Sequence, residues 1–102
     1  MPQVEKVATI SELKPGEGKV VHALGREIAL FNLNGQFCAI DNTCPHQGGP
    51  LGEGMMDGEE VICPWHGWTI NVKNGSCSFN PRVKVDAFAV KVEGQDVLIS
   101  AS

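Results

Sequence analysis

The chain has 102 residues and a formal net charge of −4, with 42% hydrophobic and 20% charged residues. This length and composition are typical of one globular domain, and they exclude a two-domain enzyme and a chain disordered by composition. The excess of acidic residues repels phosphate backbones, so nucleic acid is not an expected partner.

The cellular setting follows from the absence of two sequence signals. No stretch approaches the roughly 18 uninterrupted apolar residues of a membrane span, and the N-terminal Met-Pro-Gln-Val-Glu-Lys lacks the pattern of a secretory signal. We therefore expect a soluble, cytoplasmic protein with no membrane partner. In a reducing compartment, the four cysteines favour a metal site or buried thiols over a disulfide framework.

Short segments rich in Val, Ile and Phe, separated by glycine and proline turns, predict β-strands. The dipeptides Asn34-Gly35 and Asn74-Gly75 predict type I′ hairpin turns, and Gly25-Arg26 and Glu93-Gly94 predict two more. A single helical turn is expected at 11–14, capped by Ser11. The predicted strands are 4–10, 19–24, 27–33, 36–41, 60–63, 68–72, 77–79, 83–92 and 95–99. The fold class is therefore all-β.

One region, from Asn42 to Gly67, is too rich in glycine and proline to be mainly sheet. It predicts two ordered loops separated by a short hairpin at about 55–63. Functional residues concentrate in ordered loops on a rigid scaffold, so we expect the functional site here.

Each of these loops carries one cysteine and one histidine in a Cys-Pro setting. The first contains Cys44-Pro-His46 and the second Cys63-Pro-Trp-His66, with sixteen residues between the two motifs. Structural zinc sites usually pair Cys with Cys and His with His, which this pattern does not. An all-thiolate cluster needs four cysteines, but Cys38 and Cys77 lie in predicted strands. A [2Fe–2S] cluster with two Cys on one iron and two His on the other matches the donor set offered here.

Through these two motifs the sequence resembles the Rieske family over essentially its whole length. The resemblance implies a single domain, 1–102, with an antiparallel sandwich- or barrel-like base and a smaller cluster-binding subdomain at approximately 42–68. It implies one [2Fe–2S] cluster, with Cys44 and Cys63 on the inner iron and His46 and His66 on the outer, redox-active iron near the surface. A loop containing Pro81 is similar to the segment that covers the third side of the cluster in this family.

Departures from the family's branches indicate which kind of member this is. The positions of the cysteine pair that clamps the cluster in respiratory members are Gly49 and Trp65, and the positions of two hydroxyl donors are Trp68 and Ile70. Fewer donors to the cluster predict a reduction potential near the lower end of the family range, about −150 mV. The resemblance is thus to soluble ferredoxins, which are not enzymes themselves but carry single electrons from a flavin-containing, NAD(P)H-dependent reductase to a ring-hydroxylating oxygenase. Two alternatives stay open: the small subunit of an NAD(P)H-dependent nitrite reductase, and a zinc-stabilised binding module.

The remaining residues receive structural or docking interpretations. Cys38 and Cys77 are expected to be buried thiols, and His22 to lie on the surface. Trp65 is expected to shield the cluster, and three glycines to allow backbone N–H groups close to its sulfurs. These glycines are Gly48, Gly49 and Gly67. A group of acidic residues is expected to flank the electron port and to meet a basic partner surface. Its members are Asp41, Glu53, Asp57, Glu59 and Glu60.

Overall fold

The computed structural model describes residues 4–43, 49–64, 67–77 and 84–100. Within these residues the elements are strands and two short 3₁₀ turns, Ile10–Glu12 and Leu51–Glu53. The strands are β1 (Val4–Thr9), β2 (Gly18–Ala23), β3 (Arg26–Leu33), β4 (Gln36–Asp41), β5 (Met55–Asp57), β6 (Glu60–Ile62), β7 (Thr69–Asn71), β8 (Ala87–Glu93) and β9 (Asp96–Ser100). The predicted all-β fold class is confirmed.

The strands form two antiparallel sheets. The larger sheet has the order β1-β9-β8-β4-β3-β2, and the smaller one has the order β5-β6-β7. The edge strands β1 and β2 of the larger sheet approach each other, so this sheet curls into a nearly closed barrel. This barrel is the base that the family resemblance implies.

Strand β3 lies between the two hydrophobic cores and contributes side chains to both. Its residues from Ile28 to Phe31 are all 0% exposed, because successive side chains of a strand point to opposite faces and both faces are covered. Ala29 and Phe31 belong to a core between the two sheets, hereafter the inter-sheet core, while Ile28 and Leu30 belong to the barrel core. Burial of the Phe31 side chain contributes about 1.5–3 kcal/mol to holding the small sheet on the barrel, while Ile28 and Leu30 stabilise the barrel itself.

The hairpin turns follow the predictions in part. Asn34 and Gly35 have φ angles of 52° and 94°, as a type I′ turn requires. The turn before β3 lies one residue earlier than predicted, since Leu24 and Gly25 carry the positive φ angles and Arg26 already belongs to β3.

The type I′ turn predicted at Asn74-Gly75 is wrong. Gly75 has a φ of 79°, but Asn74 is not in the positive region; its Oδ1 accepts a hydrogen bond from Ser76 N–H at 2.9 Å. The next strand also begins later than predicted, at Ala87, because Val85 N–H donates to the Gly75 carbonyl at 2.8 Å and Lys84 bridges to Ser76.

The 3₁₀ turn after β1 is capped differently from the prediction. Its N-cap residue is Thr9 rather than Ser11, and the Glu12 carboxylate accepts a hydrogen bond from Thr9 N–H at 2.8 Å. Within the described parts of the chain, no helix is long and apolar enough to cross a membrane.

Candidate metal centre

The two motif-bearing loops start and end at the same end of the small sheet. The first loop leads through the turn Leu51–Glu53 into β5, and β6 leads into the second loop. Because β5 and β6 are antiparallel, with Met55 opposite Ile62, the exit of the first loop lies beside the entrance of the second. Gly54 makes this close approach possible, since a Cβ there would lie 2.2 Å from the Ile62 carbonyl oxygen.

The ends of the first loop are joined by backbone pairing. Thr43 forms an isolated antiparallel bridge with Pro50, and the N–H of Leu51 donates to the Asn42 carbonyl at 2.7 Å. Leu51 is fully buried in the inter-sheet core, which anchors the exit of the loop. Cys44 and His46 lie in this loop but outside the described residues, as does Gly48.

The second loop is closed across Cys63 and Trp68. Cys63 N–H donates to the Trp68 carbonyl at 2.7 Å, and Gly67 N–H donates to the Cys63 carbonyl at 3.0 Å. Gly67 has a φ of 75°, a backbone conformation that favours glycine. Trp68 packs against the inter-sheet core, while Trp65 and His66 lie outside the described residues.

Of the four predicted ligands, Cys63 is the one that lies within the described residues. It is 2% exposed and belongs to the inter-sheet core, directly after β6, so its sulfur is held by a regular strand and shielded from water. A thiolate is a soft donor suited to iron–sulfur clusters, and the ends of the first loop lie at the same end of the sheet. The described part of the site therefore fits the donor set that the motifs predict.

The other two described cysteines are core residues. Cys38 and Cys77 are 7% and 4% exposed and contribute to the inter-sheet core, as predicted for buried thiols. Burial raises the pKa of the Cys38 thiol, which keeps it protonated and unreactive near neutral pH. Pro81, predicted to cover the site, lies outside the described residues.

An arginine that sequence reasoning treated only as a turn residue supports the base of the first loop. The Arg26 guanidinium pairs with Asp41 and, at 3.2 Å, with Asp86, and it lies 5.0 Å from the centroid of the Phe88 ring. The other oxygen of Asp41 accepts a hydrogen bond from Thr43 N–H at 3.0 Å. Arg26 thereby links three strands to the start of the loop; no local sequence signal marks this role, because its partners are distant in the chain.

The predicted acidic flank is smaller than the sequence suggests. Asp41 is paired with Arg26, and Glu59 lies 3.4 Å from the ammonium of Lys73. In the part of the chain that the structure describes, Glu53 and Asp57 make no ion pair and are exposed. Met55 lies between them with 76% exposure, so the exposed surface from the end of the first loop at Glu53 to the hairpin tip at Asp57 combines negative charge with one exposed apolar side chain.

Comparison with known proteins identifies related chains along nearly the whole sequence. The model of the Rieske [2Fe-2S] domain matches residues 3–91. The ferredoxin component of the naphthalene 1,2-dioxygenase system of Pseudomonas aeruginosa is 33% identical over 92 residues, which cover 89% of this chain and 88% of that protein. Apoptosis-inducing factor 3 of Mus musculus is 34% identical over 97 residues, but the chain spans only 16% of its length.

Solved structures show the same fold. A complex of reduced oxygenase and oxidized ferredoxin in carbazole 1,9a-dioxygenase contains a chain that matches with a TM-score of 0.88 and 32% identity, over 97% of this chain and 94% of that one. A Mycobacterium tuberculosis protein assigned as the small subunit of an NADH-dependent nitrite reductase matches with a TM-score of 0.93 and 24% identity, over 100% of this chain and 97% of that one. At 24% identity, the match to the Mycobacterium tuberculosis protein shows a shared fold and nothing about function.

Proposed function

The chain belongs to the Rieske [2Fe-2S] domain family, which assigns it one [2Fe–2S] cluster, and from this premise we propose that it carries single electrons between two protein partners. The observation that carries the proposal is the junction of the two motif-bearing loops at one end of the small sheet, with the buried Cys63 at its base. The cluster, when bound, supplies a one-electron redox couple. The protein itself makes and breaks no substrate bonds.

We assign the ligands from the motifs. Cys44 and Cys63 hold one iron, and His46 and His66 hold the other. Neutral imidazoles leave less negative charge on their iron than thiolates do, so the histidine-bound iron accepts the electron. In this arrangement the burial of Cys63 keeps water from the thiolate iron, and the whole chain, 1–102, is one domain with its cluster-binding part at approximately 42–68.

The relatives that match over most of their length support an oxygenase as one partner. The naphthalene 1,2-dioxygenase relative is the ferredoxin component of a dioxygenase system, and the carbazole 1,9a-dioxygenase structure is a complex of ferredoxin and oxygenase. We propose by analogy that this chain passes electrons to a terminal oxygenase, and that, as the family resemblance implies, it receives them in the cytoplasm from a flavin-containing, NAD(P)H-dependent reductase. Glu53 and Asp57 are exposed and unpaired among the described residues, and their charge suits a basic docking surface on either partner.

A small subunit of an NAD(P)H-dependent nitrite reductase, the alternative that the sequence leaves open, is the second candidate function, and the fold shared with the Mycobacterium tuberculosis protein is compatible with it. The two functions predict different behaviour in the native organism. A small subunit co-purifies in a stable complex with a large sirohaem-containing protein, whereas a ferredoxin separates from its partners and exchanges between them. Recovery of the stable complex would favour the subunit and contradict the diffusing carrier.

The ligand assignment is tested by removing cysteines one at a time. Cys63→Ala and Cys44→Ala are expected to abolish the visible absorption and the EPR signal of the reduced cluster. The matched controls Cys38→Ala and Cys77→Ala remove buried thiols from the core to which Cys63 belongs and are expected to keep both signals. A Cys63→Ala protein with an intact Rieske spectrum would refute the assignment, and colourless protein containing zinc would point instead to the zinc-stabilised module.

A further inference from the structure

Asn42 is a buried polar residue directly before the first motif-bearing loop. It is 4% exposed, and both polar atoms of its side chain have partners. Its Oδ1 accepts a hydrogen bond from Gly52 N–H at 2.8 Å, and its Nδ2 donates to Oε1 of Glu27 at 3.3 Å. One side chain thus connects the start of the loop, the turn that follows the loop and strand β3.

The backbone of Asn42 reinforces the same connection. Its carbonyl accepts from Leu51 N–H at 2.7 Å, and its N–H donates to the Glu27 carbonyl at 3.3 Å. Gly52 is pressed against this junction, because a Cβ there would lie 2.8 Å from Val20 Cγ2 and 3.0 Å from Asn42 Oδ1. The distance between the two ends of the loop is therefore set by a packed, hydrogen-bonded contact.

We propose that Asn42 is a positioning residue of the cluster site, whose side chain fixes the span of the loop that carries Cys44 and His46. This inference rests on the proposed function, which assigns those two residues as ligands. A side chain without an acceptor at Oδ1 leaves Gly52 N–H unpaired in a buried place, which is costly. The loop ends then separate or rotate to reach water, and the two ligands lose their common support.

Asn32 provides a matched control for this role. It is also 4% exposed and also uses both ends of its amide: Nδ2 donates to the Leu13 carbonyl at 2.9 Å, and Oδ1 accepts from Gly35 N–H at 2.7 Å. These bonds fix the β3–β4 turn and the segment after β1, rather than either motif-bearing loop. Replacing Asn32 by alanine therefore also removes one donated and one accepted side-chain hydrogen bond, the donated one to a backbone carbonyl rather than to a carboxylate.

The experiment compares Asn42→Ala and Asn32→Ala as holoproteins. Both are expected to melt at lower temperature than the wild type, by similar amounts. Residues that orient metal ligands typically change metal affinity about 10- to 100-fold when removed, so Asn42→Ala is expected to release iron to a chelator about 10 to 100 times faster than Asn32→Ala. Its EPR lines should also broaden or shift, while those of Asn32→Ala should not. Equal release rates and unchanged EPR lines in the two variants would overturn the proposal.

A second pair of variants keeps the test decisive if Asn42→Ala fails to fold. Asn42→Asp retains an acceptor for Gly52 N–H but loses the donor to Glu27, and the double variant Asn42→Asp/Glu27→Gln restores that hydrogen bond with donor and acceptor exchanged. The double variant should return the release rate toward that of the wild type, and release as fast as in Asn42→Asp alone would count against the proposal. If wild-type protein shows no Rieske spectrum, the proposed function itself fails; if the wild type shows one and Asn42 variants behave like the control, only the positioning role fails.

Discussion

Replacing Gly54 by alanine tests the close approach of the two loops. The backbone at Gly54 has φ −78° and ψ 168°, a conformation that any residue adopts, so the substitution causes no backbone strain of its own. The added methyl group, however, would lie 2.2 Å from the Ile62 carbonyl oxygen and 2.9 Å from Val61 Cγ2. The first of these atoms is backbone, so strand β6 must move by about 1 Å to restore an ordinary contact distance.

The expected cost of Gly54→Ala is that of overpacking, about 1–3 kcal/mol. For a chain of this size a loss of 2 kcal/mol lowers Tm by about 8–16 °C. Because Ile62 directly precedes Cys63, the displacement also reaches the proposed iron ligand. We therefore expect a lower Tm together with altered EPR g values and a shifted reduction potential in the reconstituted protein.

Gly58→Ala, at the tip of the same hairpin, is the control. Gly58 has a φ of 63° and nothing within 4 Å of its Cβ position, so alanine there costs about 1–2 kcal/mol through conformation alone. It should lower Tm by a comparable amount and leave the EPR spectrum and potential unchanged. A Gly54→Ala protein with wild-type Tm and spectrum would refute the inference that the loops meet through this contact.

Three further predictions concern charge and burial. Glu53→Lys should slow electron transfer to the oxygenase by about tenfold at low ionic strength, measured by stopped-flow, because Glu53 is exposed in the turn that ends the first loop. Glu93→Lys, which reverses an exposed charge paired with Lys91 on β8, should leave the rate unchanged, and equal rates in the two variants would contradict a docking role for the acidic surface. The ammonium of Lys19 and the N–H of Thr9 lower the pKa of Glu12 from 4.5 to about 2, so the stability that Glu12 contributes is complete above its unfolded-state pKa and is lost as pH falls from 4.5 toward 2. The Tm difference between wild type and Glu12→Gln should therefore be larger at pH 7 than at pH 3.5, and a constant difference would be inconsistent with the ion pair. Because burial raises the pKa of Cys38, a thiol reagent at pH 8 should label Cys38 only after denaturation, as read by mass spectrometry, and rapid labelling of folded protein would contradict its place in the core.

The strands could be predicted well because short apolar segments and glycine turns are local signals. The prediction for β4 has the observed bounds, and the turn at Asn34-Gly35 has the predicted conformation. The failures arise where distant residues decide the local structure. The backbone of Gly75 packs against the carbonyl of Val85, and in this turn Gly75 has a positive φ but Asn74 does not. The bridge between Lys84 and Ser76 precedes β8, which therefore begins later than predicted.

The metal-binding motifs could be predicted from the sequence, but the residues that hold the motif-bearing loops in place could not. Cys-Pro-His and Cys-Pro-Trp-His are patterns of neighbouring residues, whereas Asn42 and Arg26 act through contacts with residues up to 60 positions away in the chain, as with Arg26 and Asp86. The expected acidic flank failed in part for the same reason, since the pairing of Asp41 with Arg26 and of Glu59 with Lys73 depends on the tertiary fold. Cys44, His46 and His66 lie outside the described residues, so their roles as ligands stay predictions.

The most direct test of the central claim is pulsed EPR on the reduced protein grown with ¹⁵N-labelled histidine. If two histidines and two cysteines hold a [2Fe–2S] cluster, the spectrum should be rhombic, with an average g below the free-electron value, and should show couplings to two histidine nitrogens. Both couplings should be lost or altered when His46 or His66 is replaced, while His22→Gln should leave them unchanged. A cluster signal without histidine nitrogen couplings, or a protein that takes up zinc and no iron–sulfur cluster on reconstitution, would contradict the account.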